Sequence, residues 1–434
     1  MRKRVIAAAA LAATISLVAA GCSSTGSSSS PSGSTITYWA SNQGTSLDND
    51  KQVLTPVLDD FTRKTGVKVK LEVIGWNDLQ TRIQTAVTSG QGPDVLNIGN
   101  TWAASLQATG AFLPFGDSEM KAIGGSDKFV KTALDTGGAA GKTPTSVPLY
   151  GLAYGLYYNK KMFSDAGVQP PTNWEELVTD AKKLTTGSQY GFSLAAGSYT
   201  ENAHFAFINS AQNGGEWFDG KGNPTFTSQA NIDGIKRYLD LMQTDKVVNT
   251  SNAQYDNGVQ AVNDFATGKV AMILSQNNAD SSINANGMKS DAYGVVPFPS
   301  PEGGKPVASH VAGINLSIFK NTKNKDAALE FVKYMTSESV QSTLGKPYAT
   351  LPVLNGAKPN FTDNADEAAT FQKIYNEMSK PLPLVPAEDQ FENTVGKAMN
   401  DMFAKIATGG TVSDSDIKSA LQTAQDQVKQ SIGG

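Results

Sequence analysis

Hydrophobic and polar positions fall into a changing but regular rhythm from Thr35 onward. The stretch Ile36-Thr37-Tyr38-Trp39-Ala40 predicts a strand, and Val53, Leu54, Val57, Leu58 and Phe61 then recur at helical spacing. Val67, Val69, Leu71 and Val73 alternate with Lys68, Lys70 and Glu72, the mark of a strand with one wet face. A second helix over 79–87 leads through Gly90-Gln91-Gly92-Pro93 into a strand over 94–98. This β-α-β-α-β order predicts a largely parallel α/β sheet, on which ligands sit beyond the carboxyl ends of the strands.

The second half repeats the theme. Thr172-Asn173-Trp174-Glu175 reads as a capping box opening a helix with Trp174, Leu177, Val178, Ala181 and Leu184 on its apolar face. Ile232, Ile235, Leu239 and Met242 mark another helix, and Gly268 ends a third. The apolar run 270–274 then stops at Ser275, Gln276, Asn277 and Asn278, an uncharged polar group at a predicted strand end. Prolines make 294–299 an extended crossing segment, followed by a strand over 313–319 and a helix with Ala327, Ala328, Phe331, Val332 and Met335 inward. Terminal helices carry Phe391, Val395, Met402 and Phe403, then Ile417, Leu421 and Val428.

Residues 1–22 stand apart from this pattern. Arg2, Lys3 and Arg4 precede a small and apolar run over 5–20, shorter than the roughly 20 residues that span a bilayer and interrupted by Thr14 and Ser16. This is a signal-peptide pattern. It ends at Cys22, the one cysteine of the chain, after Ala19-Ala20-Gly21. The arrangement resembles a bacterial lipobox, with Ala19 in place of the usual leucine, and implies palmitoylated Cys22 as the mature N-terminus. The Ser/Gly-rich segment 23–34 that follows is a tether with a reach of roughly 20 Å.

A chain of 434 residues with 39% hydrophobic positions is long enough for two cores. Removing Arg2, Lys3 and Arg4 takes Lys+Arg from 36 to 33 against 40 Asp+Glu, so the mature chain carries about −7. Nucleic acid is therefore not an expected partner. The two histidines, His204 and His310, and the absence of a G-x-S-x-G elbow leave no serine-hydrolase arrangement to single out. The stretch 137–143, GGAAGKT, has Thr136 where a P-loop needs its first glycine. Asp48-Asn49-Asp50 lacks the glycine of a calcium loop, Val53 standing in its place, and no zinc spacing is present. Neither metal nor cofactor is expected. A glycosidase, which needs two carboxylates about 5–10 Å apart, stays open with 40 acidic residues in the chain.

Taken in order, TITYWAS, FTRKTGVKVKLEVIGWNDLQ, GQGPDVLNIGNTWAASLQATGAFLP, VPLYGLAYGLYYNKKMF, PTNWEELVTDAKKL, NGGEWFD, FATGKVAMIL and HVAGINLSIFKNTKNKDAALEFVKYM resemble the extracellular solute-binding proteins of carbohydrate ABC importers, the maltose-binding-protein-like family. The resemblance covers about 35–432. It implies two α/β lobes of the type II periplasmic-binding fold joined by a hinge, with ligand in the cleft and closure around it. By analogy, lobe 1 is 35–146 plus 300–350 and lobe 2 is 147–299 plus 351–434. It also implies a monomeric, non-catalytic, lipid-anchored protein on the outer face of the cell membrane. That protein delivers a mono- or oligosaccharide to two transmembrane permease subunits powered by an ATPase. A glycerophosphodiester or polyol is the second ligand class.

Sugars ask for aromatic faces and planar hydrogen-bonding groups. Matching positions place Asn42 and Gln43 after the first strand, Trp76 after the second, and Asn100, Thr101 and Trp102 after the third. Tyr150 and Tyr154 lie where the chain enters the second lobe, and Trp217 follows Gly214-Gly215. His204, Asn277, Asn278, His310, Gly313, Tyr348 in a Lys346-Pro347-Tyr348 turn, and Glu392 complete the expected contacts. Each has a rival role in packing or capping, and Trp39 and Trp174 are read as packing residues. Against the maltose-binding pattern, Gln43, Thr101 and Trp102 replace charged contacts, and Asn278 and Glu392 replace aromatic ones. Maltose itself is thus not the expected ligand.

Overall fold

The structure, a computed structural model, describes residues 33–44 and 46–432. The leader, Cys22 and almost all of the Ser/Gly-rich segment lie outside the described residues. Two sheets organise the chain. The first has five strands in the order β2-β1-β3-β10-β4, with β1 (Thr35–Ser41), β2 (Lys68–Ile74), β3 (Val95–Gly99), β4 (Ser146–Leu152) and β10 (Ala312–Ile318). The second has four in the order β6-β7-β5-β8, with β5 (Tyr154–Asn159), β6 (Tyr190–Ser193), β7 (Val270–Gln276) and β8 (Tyr293–Val296). A short parallel pair joins β9 (Ser309–His310) to β11 (Ser379–Lys380).

The expected parallel arrangement holds for β1, β2 and β3. In the first sheet it ends there, because β10 enters antiparallel between β3 and β4 after the chain has returned from the second sheet, while in the second sheet β6 and β7 again pair parallel. β4 pairs with β10 over Ser146–Ser317 to Leu152–Ala312, so the chain first changes sheets at Ala153, not between 146 and 147. Leu351 also bridges back to Gly151, and Leu354 to Phe129, which keeps 351–354 with the first sheet. The segment expected only to cross supplies β8, which pairs antiparallel with β5 before the prolines end it.

Local chemistry explains the helices. In the helix Leu47–Thr65 Leu54, Val57, Leu58 and Phe61 are buried as the spacing predicts, Val53 is only partly covered, Asp50 is buried with them, and Gly66 closes the helix at φ 77, a left-handed conformation suited to glycine. The helix Trp174–Leu184 is capped one residue later than the sequence suggests: Asn173 accepts from the Glu176 N–H at 2.8 Å, and Glu176 reaches back to the Thr172 N–H at 2.7 Å. Glu175 takes no part in that box. Tyr348 ends the helix Glu338–Tyr348 instead of lying in a turn, since Ala349 in the left-handed region accepts the change of direction after Pro347.

Candidate functional site

Between the sheets lies a cleft holding about 880 Å³ of atom-free space, open solvent at its mouth included. The enclosed part, about 250 Å³, is just under the roughly 300–1,000 Å³ of small-molecule sites. Its walls are built from element ends, and the two walls differ.

The first-sheet wall is aromatic and uncharged. Trp76 opens the helix Trp76–Ser89 directly after β2, and Trp102 ends the short 3-10 turn Asn100–Trp102 directly after β3. Their rings meet edge to face, centroids 5.5 Å apart at 73°. Both are half-buried and both line the cleft, so each keeps a face for a ligand. Gln43 lines the same wall from a loop held by the buried Asp50 carboxylate, which accepts from the Gln43 N–H at 3.2 Å and the Gly44 N–H at 2.8 Å. Asn100 and Thr101 line it too, and Asn100 Nδ2 donates to the Val311 carbonyl at 2.8 Å, tying this wall to the crossing strand.

The opposite wall is hydrogen-bonded and ionisable. Gln276 and Asn278 leave β7 on the cleft side, and the intervening Asn277 points away, as alternation at a strand end dictates. Deeper in, Tyr154 Oη lies 3.1 Å from His204 Nδ1, and His204 Nε2 lies 2.9 Å from Glu392 Oε1. With the Tyr154 hydroxyl donating to Nδ1, His204 donates its Nε2–H to the carboxylate. The His310 ring lies against that of His204 at 4.1 Å. Burial and the neighbouring His204 hold His310 well below the usual imidazole range, so it is neutral. Burial pushes Glu201, on the same helix as His204, up to about 7.

Of the residues expected from sequence, Gln43, Trp76, Asn100, Thr101, Trp102, His204, Asn278, His310, Gly313 and Glu392 come together on the cleft. The others are placed elsewhere. Asn42 turns to Asp50 and donates to its carboxylate. Tyr154 stands behind His204 as its hydrogen-bond partner. Tyr150 and Tyr348 are buried against each other, ring centroids 6.1 Å apart, because Tyr150 faces the core side of β4. Trp217 is 1% exposed, its indole packed on Phe226 and Phe391, since the polar turn that carries it folds over the terminal helices. Asn277 is fully buried: its Oδ1 accepts from the Ala153 N–H at 2.8 Å and its Nδ2 donates to the Ala349 carbonyl. It fastens the point where the chain changes sheets.

Sequence reasoning missed Gln80, Tyr199, Thr200, Gln276 and Asn393 on the cleft. Helical spacing could have found two of them, since Gln80 follows Trp76 and Thr200 precedes His204 by one turn. Among the described residues no group of three or more His, Cys, Asp or Glu is placed to hold a metal ion. The 137–143 stretch runs through a short 3-10 turn into a loop with Gly138 against Gln107, away from the cleft.

The family model for bacterial extracellular solute-binding proteins matches residues 44–342. A binding protein of Brucella abortus is 27% identical over 78% of this chain and 81% of its own length. The diacetylchitobiose binding protein of Streptomyces coelicolor is 25% identical over 83% of this chain and 82% of its own. An ABC transporter solute-binding protein of Thermotoga lettingae, solved with α-D-tagatose, superposes with a TM-score of 0.77 at 22% identity, covering 91% of this chain and all of that one. At that identity the likeness speaks for the two-lobed fold.

Proposed function

The chain belongs to the bacterial extracellular solute-binding proteins, and from that premise we propose that it captures a mono- or oligosaccharide between its lobes and hands it to an ABC importer. The observation that carries this reading is the pairing of walls. The edge-to-face Trp76 and Trp102 offer aromatic surface to the C–H faces of a sugar ring. Across from them Gln276, Asn278, His204 and Glu392 offer planar donors and acceptors for hydroxyls.

A glycerophosphodiester fits less well, because among the described residues the lining includes neither Lys nor Arg to meet a phosphate. A polyol shares the hydroxyl chemistry but leaves the tryptophan faces without a ring. As for a glycosidase, Glu392 is the one carboxylate lining the cleft among the described residues, where that chemistry needs a pair. In this reading the protein catalyses nothing. Its lobes divide at Ala153, in 297–311 and again beyond Leu354, and it works as a monomer tethered through lipidated Cys22 beside two permease subunits and their ATPase. Replacing Cys22 by Ser would then move the protein from the membrane fraction to the medium, and unchanged membrane association would refute the anchor.

A thermal-shift screen tests the ligand class. A saccharide at about 1,000 times its Kd stabilises the fold by roughly 4 kcal/mol, an unmistakable shift. No response to any sugar together with a clear shift from glycerophosphocholine would reverse the assignment.

A further inference from the structure

One carboxyl group lines the inner end of the cleft, and three others lie on the two helices that border it. Glu392 lines it, Glu388 and Asp389 lie one turn earlier on the helix Glu388–Ala407, and Glu201 sits one turn before His204 on the facing helix Tyr199–Gln212. Among the described residues the neighbouring basic groups are engaged elsewhere or uncharged. Lys380 on β11, next to His310 through β9, is paired with Glu216 at 2.6 Å. Lys397 lies over the Tyr199 ring at 5.9 Å. His310 is neutral, and His204 engages a single oxygen of Glu392.

Two buried groups among the described residues are left without partners in the same place. His310, 1% exposed and lining the cleft, has an unpaired Nδ1. Glu388, also 1% exposed, has both carboxyl oxygens unpaired, and it lines a small recess that shares Asn100 and Thr101 with the cleft. A neutral sugar is served by amides and one carboxylate. Glu388, sunk beside the cleft with neither oxygen paired, has no use in such a site and is costly to keep there without a partner.

We propose that the ligand is a saccharide bearing a protonated amine, its ammonium taken by Glu392 with the buried, unpaired Glu388 carboxyl behind it. The proposal rests on the saccharide reading above. Trp76, Trp102 and the exposed Tyr199 ring add faces that favour a cation as well as sugar C–H groups. Burial raises Glu201 to about 7 and lifts Glu388 well above the usual carboxylate range, so these two hold protons near neutrality, and it lifts Asp389 as well. An arriving ammonium lowers their affinity for protons, and binding releases protons to solvent. Affinity for the amine therefore rises with pH for as long as the ligand stays charged.

Isothermal titration of the full chain with glucosamine and chitosan oligosaccharides, against their N-acetylated and plain-hydroxyl counterparts, tests this. Titrations are made at pH 5.5 and 7.0 in buffers of differing ionisation enthalpy. The amine forms should bind roughly tenfold tighter than the neutral ones at pH 7.0, with a smaller margin at pH 5.5 and a measurable proton release. Glu392→Gln should narrow that margin, and Glu388→Gln should narrow it less. Equal or tighter binding of the neutral forms at both pH values overturns the amine proposal and leaves the saccharide reading standing. Binding by neither set takes both down.

Discussion

Trp102 and Trp217 lie in stretches that look alike on paper, GNTW and GGEW, and the fold uses them in opposite ways. Trp102 rides the end of a strand at the rim of the first sheet, meets one aromatic neighbour in Trp76, and stays half-buried over the cleft. Trp217 sits in a turn of the second lobe that closes over the terminal helices, meets Phe226 and Phe391, and disappears into the core. The composition of a loop does not decide exposure. What decides is whether the loop runs along a sheet end or folds back on a helix pair whose apolar face needs covering.

The sharpest way to break this comparison is to delete both indoles separately. Trp217→Ala should destabilise the protein by about 3–5 kcal/mol in denaturant unfolding, the cost of emptying a packed aromatic site. Trp102→Ala should change stability far less. Equal losses would show that Trp102 too is a packing residue.

The neighbouring amides carry the same contrast within one strand end. Asn277→Ala leaves the buried Ala153 N–H and Ala349 carbonyl without partners, at about 1–3 kcal/mol for each group. Asn278 caps its helix by position only, with no side-chain hydrogen bond to it. Asn278→Ala should therefore stay within about 0.5 kcal/mol in stability while weakening ligand affinity in titration. A destabilised Asn278→Ala would contradict its placement on the cleft wall.

A pH-dependent effect separates the ionisable end from the aromatic wall. Glu201 is raised from 4.5 to about 7 by burial, so the folded state holds its proton more tightly than the unfolded one. Its stabilising contribution is complete below pH 4.5 and is lost as pH rises through 7. Glu201→Gln should raise the unfolding free energy at pH 8 by about 1–3 kcal/mol and change it little at pH 4. A pH-independent effect would mean that the carboxyl is solvated in the folded protein.

Much of this was legible in the sequence where one residue's position settles its surroundings. Trp76, Trp102 and Gln43 follow predicted strands at once, and strand ends of an α/β sheet border the ligand. The apolar faces of the helices Leu47–Thr65 and Lys325–Met335 follow from spacing and are buried as expected. Long-range pairing was not legible. The antiparallel entry of β10 and the crossing at Ala153 depend on contacts between positions far apart in the chain. Asn277 and Asn278 are chemically identical, and only the register of β7 against β5 turns one inward and the other to the cleft. The burial of Glu388 beside the cleft was hidden for the same reason, since its carboxyl is covered only when segments far apart in the chain pack around it.

The central claim is that a saccharide binds between the tryptophan pair and the hydrogen-bonding wall. Titration calorimetry with the sugar chosen by the thermal screen, on wild type and on a Trp76→Ala/Trp102→Ala variant with an unchanged unfolding midpoint, tests it most directly. One-site binding that weakens by about a hundredfold in the variant is the predicted result. Undiminished affinity in the variant would contradict the account.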